Sequence, residues 1–236
     1  MPASPITAVL VHSPFLGPAS LRPLADALAA HGHPALLLDL RPSVVATPVH
    51  QVLLGAFADA MSEEELGGEV VLVGHSGAGP LLPAFADVLE DTVTGLVFLD
   101  AGLPTPGRSW RDTVPAELYS HLRALSREGR LPRWQRWFDP DPLAELVADE
   151  ELRAEIADEA PEVPIAFLKE PRPEVSWSGP AGYVLLSQAY EADADEAAGL
   201  GWPVRRIPSH HLAPAGDPLP VATAILEVLG ELLRAG

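Results

Sequence analysis

The run Val70-Val71-Leu72-Val73-Gly74-His75-Ser76-Gly77-Ala78-Gly79 places one serine among small residues, where a β-branched apolar stretch gives way to helix. A serine on such a strand-to-helix turn sits in strained backbone. Flanking side chains would collide with the neighbouring strands, and the helix start offers free N–H groups to a developing oxyanion. The chemistry these residues suit is nucleophilic attack by Ser76. The strict pattern wants Gly at position 78, where this chain carries Ala, one methyl more. A Gly-rich phosphate loop or a plain tight turn would use similar residues, but the lysine of a phosphate loop is missing. A serine hydroxyl is a poor nucleophile until a base removes its proton, so a histidine must reach Ser76, and an acid must orient that histidine.

The elements that would position these groups follow from apolar patterning. Ile6–Val11, 35–38 and 70–73 are short runs without alternation, as in strands buried on both faces of a parallel sheet. Leu21, Leu24, Ala25 and Leu28 fall at helical spacing before the stop His31-Gly32, and a second helix runs over about 49–61. Gly67-Gly68 turns the chain into the third strand. A helix over about 80–89, a fourth strand at 94–99, a fifth at 183–186 and a short sixth at 204–207 complete the βαβ rhythm of an open, doubly wound sheet.

Residues 103–180 break that rhythm. Leu118, Leu122 and Leu125 mark one helix there, and Asp141-Pro142 reads as the capped start of another. Trp134 and Trp137, three residues apart, read as an amphipathic helix anchored to its own core or as a pocket lining, and the acidic stretch 149–159 reads as a solvated helix face. Asp217-Pro218 opens a last amphipathic helix through Val221, Ile225, Leu229 and Leu232.

With His12 after the first strand, the 74–79 turn, the helical insertion and a late histidine before the final helix, the chain resembles the α/β-hydrolase fold superfamily along nearly its whole length. The resemblance implies an α/β open parallel sheet of about six strands lacking the first hairpin. Residues 1–102 would form the first part of the core, 103–180 a helical cap and 181–236 the rest. It implies that the base is His211 of Ser209-His210-His211-Leu212, with His210 as the neighbouring alternative, and that His12, His31, His33, His50 and His121 are structural or surface residues. Two strand ends offer the acid. We take Asp100, with Glu191 or Asp193 after the fifth strand as alternatives. The oxyanion hole would use the backbone N–H of Gly77 and one after the first strand. There Pro14 has none to give, so Phe15 supplies it or the hole is impaired. His75, Trp134 and Trp137 would line the substrate pocket.

Composition bounds the rest. At 236 residues the length fits one domain or one with a large insertion, and 47% hydrophobic with 20% charged residues suits a packed globular core. A formal charge of −18 disfavours nucleic acid and anionic membrane surfaces. With no cysteine, disulfides, thiolate nucleophiles and cysteine metal sites are excluded. Met1–Pro5 does not read as a secretory signal, and the default setting is cytoplasmic. The expected activity is cofactor-independent and metal-free cleavage of an ester, thioester or lactone of a small, mostly apolar molecule through an acyl-enzyme. A lyase or cyclase using the same Ser/His site and an inactive ligand-binding protein are the alternatives. A small-molecule substrate is the expected partner, with a homodimer left open.

Overall fold

The structure, a computed structural model, describes residues 6–64 and 68–235. The reading of Met1–Pro5 and Gly67 of the expected turn lie outside the described residues. Six strands form one all-parallel sheet: β1 Ile6–Val11, β2 Ala35–Leu37, β3 Glu69–His75, β4 Val93–Leu99, β5 Ala181–Leu185 and β6 Val204–Arg206. Their spatial order is β2-β1-β3-β4-β5-β6, which puts β3 and β4 at the centre. Every strand in this order is parallel to its neighbours, so the C-terminal ends of β3 and β4 open onto the same edge.

Helices cover both faces, which is why the central strands are apolar throughout rather than alternating. On one face α1 Arg22–Ala30 and α9 Pro218–Ala235 pack over Leu10, Val73, Val97 and Val184. All four residues of the predicted α9 stripe are buried. On the other face lie α2 Val49–Ser62, α3 Leu82–Asp87 and much of the segment between β4 and β5. That segment holds α4 Ala116–Leu125, α5 Leu143–Leu146 and α6 Glu150–Glu159. After β5 come α7 Glu191–Gly199 and, before α9, the single turn α8 Ala213–Gly216.

Three sequence expectations are corrected. The helix expected over about 80–89 is a 3-10 turn, Ser76–Leu81, running into the short α3. Pro80 and Pro83 carry no N–H for an i→i−4 bond, so a regular α-helix cannot start before Leu82. Trp134 and Trp137 share one 3-10 turn, not an amphipathic helix, because Pro132 precedes it and Pro140 drives the residue before it out of helical backbone. The acidic stretch is helical, but it is not merely solvated. Glu155 pairs with Arg22 at 2.5 Å, and Glu159 accepts the Ala19 N–H at 2.7 Å. The expected cap at Asp141 is present in substance, since its carboxylate accepts the Leu143 N–H at 2.9 Å where α5 begins.

The segment between β4 and β5 is tied to the core through helix starts. Glu170 accepts the Val49 and His50 N–H groups, both at 2.8 Å, and so caps α2, whose own N-cap residue is Pro48. Close approach is needed once more beside the serine turn. A Cβ on Gly79 would lie 2.5 Å from the Ala101 Cβ and 2.9 Å from the Gly102 carbonyl oxygen, so the bare backbone lets this turn nest against the exit of β4. Gly79→Ala should therefore overpack that contact and lower stability by about 1–3 kcal/mol. The check is urea unfolding, where the midpoint should fall at an unchanged slope.

Candidate active site

Two residues at the strand exits adopt left-handed backbone that non-glycine residues rarely enter, Ser76 at φ 57° and Asp100 at φ 43°. Each follows a central strand, β3 or β4. These bends aim both side chains inward over the sheet edge. His211 reaches them from the loop between β6 and α8.

The three side chains form one hydrogen-bonded series. His211 Nδ1–H donates to Asp100 Oδ2 at 2.7 Å, and His211 Nε2 lies 3.0 Å from Ser76 Oγ, positioned to accept its proton. Asp100 is fully buried. Its Oδ1 accepts the Leu186 and Ser187 N–H groups, both at 2.8 Å, and its Oδ2 accepts the Ser187 hydroxyl at 2.7 Å. Burial pushes this carboxyl upward, but the hydrogen bonds from His211, Ser187 and Leu186 outweigh it, and the group is held below the usual carboxylate range. The β4 exit is locked further by Tyr183, whose hydroxyl donates to the Ala101 carbonyl at 2.5 Å and accepts the Ala101 N–H.

The other candidates lie elsewhere. Asp193 Oδ1 accepts the Leu103 N–H at 2.9 Å, and burial raises its carboxyl. Glu191 is exposed at the start of α7. His210 turns toward Gly216, with its Nδ1 buried and unbonded. His75, expected in the pocket wall, has no exposed surface. It donates from Nε2 to the His211 carbonyl at 2.9 Å, and its ring stacks on the His211 ring at 4.7 Å. It thus backs the imidazole instead of facing the cavity. Burial and the neighbouring His211 push His75 down to about 3, so it stays neutral.

Trp134 stands 6.2 Å from the His211 ring, and Trp137 packs edge-on against Phe15 at 4.9 Å. Both sit in the core and beside the site at once. Phe15 is buried, and its N–H donates to Ser13 Oγ at 3.3 Å. The Ser13–Phe15 loop lies against Gly77, where an added Cβ would stand 3.2 Å from Ser13 Oγ and 3.3 Å from Pro14 Cδ. His12 belongs to the scaffold, since its Nδ1–H donates to the Ser13 carbonyl and its Nε2 accepts the Leu40 N–H.

Two residues at the site were not singled out from sequence. Ser187 holds Asp100 from the second position beyond β5, and Tyr190 stacks on the face of His211 at 5.5 Å. Burial pushes the Tyr190 phenol up to about 12. Both lie in the stretch after the fifth strand where the sequence offers Glu191 and Asp193, and it is the hydroxyl-bearing residues there that reach the site. Ser76, Gly77, Leu103, Trp110 and Tyr190 line a cavity of about 630 Å³. Among the described residues no group of three or more metal-ligating side chains is placed to hold an ion, and no helix is long and apolar enough to cross a membrane.

No family model and no curated protein sequence matches the chain. Solved structures do. An extracellular α/β-hydrolase from a Paenibacillus species aligns over 95% of this chain and 99% of its own, with a TM-score of 0.75 and 20% identity. The chain has the α/β-hydrolase fold. Polyneuridine aldehyde esterase shares it at TM-score 0.71 and 17% identity, covering 95% of this chain and 99% of that one. Tomato methylketone synthase I, in complex with 2-tridecanone, shares it at 0.70 and 16%, covering 97% and 99%. The α/β-hydrolase fold therefore spans esterases and a synthase at this distance, and the site has to carry the functional argument.

The buried neutral His75 makes stability pH-dependent. Its value in the folded chain, about 3, lies below the ordinary 6.5. Between these values the unfolded chain binds the extra proton, so stability is complete above the upper value and is lost as pH falls, by up to about 1.4 kcal/mol per pH unit. His12, also lowered by burial, acts in the same direction. His75→Gln should flatten the decline, as measured by urea unfolding at about pH 6 and about pH 4.5.

Proposed function

We propose that the chain is a cofactor-independent serine hydrolase acting on an ester, thioester or lactone of a small, mostly apolar molecule. The observation that supports this reading is the unbroken series Asp100 to His211 to Ser76 at 2.7 and 3.0 Å, which opens on a cavity. His211 takes the proton of Ser76 as Oγ bonds to the acyl carbon. Asp100 fixes the tautomer and stabilises the imidazolium. The tetrahedral oxyanion accepts the Gly77 N–H at the helix start, together with that of Phe15. His211 then gives its proton to the leaving oxygen or sulfur as that bond breaks, and water, activated by the same imidazole, releases the acid. We read residues 103–180 as the cap over this cavity, with Trp110, Val114 and Leu118 in its wall, while Trp134 and Trp137, expected there, pack behind it against His211 and Phe15.

One observation favours a second reading, a lyase or cyclase with no acyl-enzyme. The Phe15 N–H already donates to the Ser13 hydroxyl, and Pro14 has no N–H, so the second oxyanion donor is engaged before substrate arrives. In that chemistry His211 moves a proton without Ser76 forming a bond to carbon.

A fluorophosphonate probe read by intact mass separates the two. Hydrolysis predicts rapid labelling that Ser76→Ala abolishes, together with ester turnover lost in the same variant. Absence of labelling in a folded protein that turns over an elimination substrate would support the second reading, and ligand binding without either would point to an inactive binding protein. Asp100→Asn should lower turnover by up to about 10⁴ through the wrong imidazole tautomer, and His211→Ala by several powers of ten. Losses in Glu191→Gln and His210→Ala should be small. Steady-state kinetics beside circular dichroism distinguishes a chemical loss from an unfolded site.

A further inference from the structure

The cavity that exposes Ser76 also holds a charge that cleavage of a purely apolar ester would not use. Arg172 lines it and is only 7% exposed. The backbone around it is fixed, since its N–H donates to the Arg108 carbonyl at 3.1 Å and its carbonyl accepts the Gly107 N–H at 3.2 Å. Its guanidinium donates to two neutral hydroxyls, Thr105 Oγ1 and, at 3.4 Å, Thr113 Oγ1. Among the described residues no carboxylate forms an ion pair with it. Asp112, in the Trp110–Thr113 turn, lines the same cavity and its charge acts on Arg172 without forming an ion pair, its Oδ2 being taken by the Ser109 N–H and hydroxyl at 2.9 and 2.6 Å. Arg108, a second cation, lines the same cavity, as does Asp193, whose Oδ1 is taken by the Leu103 N–H.

Burial and the nearby Arg108 push Arg172 down to about 10 against the opposing pull of Asp112, which leaves it charged at neutral pH. A desolvated cation with no carboxylate hydrogen-bonded to it is costly, and such a group is usually paired. Its planar fork matches a carboxylate with two parallel bonds. The net charge of −18 does not oppose this locally, because exposed charges are screened over about 8 Å in physiological salt, whereas a buried guanidinium is screened much less.

We propose that Arg172 is an anion subsite of the Ser76 cavity and that the substrate is a hemiester type of molecule, with a free carboxylate remote from the bond that is cleaved. Trp110, Val114 and Leu118 give the same cavity apolar surface, which suits a hydrocarbon body joining the two ends. This rests on the hydrolase reading above, whose substrate class it narrows.

The test compares mono-p-nitrophenyl adipate and suberate with the neutral p-nitrophenyl hexanoate and octanoate. Wild type should prefer the anionic member of at least one pair by tenfold or more in kcat/KM, carried mainly by KM. Arg172→Gln should lower that preference at least tenfold, and Arg172→Lys should keep part of it. A wild-type preference of one or less at both lengths overturns the proposal whether or not the variants fold, and so does an unchanged preference in Arg172→Gln. If no ester is turned over and Ser76 is not labelled, the hydrolase reading fails by itself. The subsite is then decided by calorimetry of monomethyl adipate with Ser76→Ala. Binding that is lost when Arg172→Gln is added supports the subsite, and absence of binding overturns it.

Discussion

A carboxylate with no exposure to water sits at the exit of β4, and the rest of the site is arranged around making it tolerable. Desolvating a charge costs several kcal/mol unless hydrogen bonds replace the lost water. Asp100 receives four, two from the backbone just beyond β5, one from the Ser187 hydroxyl and one from His211. These partners come from two stretches of chain, both remote in sequence from Asp100. Satisfying one charge therefore fixes the β5 exit and the loop before α8 relative to β4, and the imidazole is delivered to Ser76 as part of the same arrangement. His75 and Tyr190 then hold the ring from its two stacking contacts, at 4.7 and 5.5 Å.

The large acidic excess has a structural use as well. Glu159 meets the Ala19 N–H, Glu170 caps the start of α2, and Asp149 caps α6. Carboxylates at helix starts meet free N–H groups and the positive end of the helix dipole, so they stabilise where an acid elsewhere on the surface would do little. Two of these contacts run from the 103–180 stretch back to the core. That stretch has few long helices of its own, and it is held by such polar ties together with the aromatic cluster of Phe15, Trp137 and Phe167.

What the sequence disclosed divides along physical lines. Strands buried on both faces leave uninterrupted apolar runs, and a strained serine turn demands small neighbours, so the sheet and the turn at Ser76 were legible. The α9 stripe was legible for the same reason, because one face of a long helix is buried. Asp100 could be named only alongside Glu191 and Asp193, since a turn residue and a buried acid have the same letters, and only β5 lying next to β4 brings Ser187 to Oδ2. His75 was misplaced because a residue adjacent to the nucleophile points to the opposite side of its strand. The Trp134–Trp137 turn was misread as a helix because spacing of three is shared by both forms, and the flanking prolines, not the tryptophans, decide between them. Arg172 left no signal, since its burial in the cavity wall without a carboxylate hydrogen bond exists only in three dimensions.

The chain order of the site gives assembly a timetable. Ser76 and Asp100 are made early, whereas His211 follows Asp100 by 111 residues. At a synthesis rate of about 5–20 residues per second that interval is roughly 5 to 20 s. For the first 86 residues of it the nascent chain holds β1 to β4 without the β5 exit, and for the rest it still lacks the imidazole, so Asp100 gains its partners in two steps. The loop before α8 is thus the keystone laid last, and the carboxylate at the β4 exit has its full set of partners only once His211 has been added.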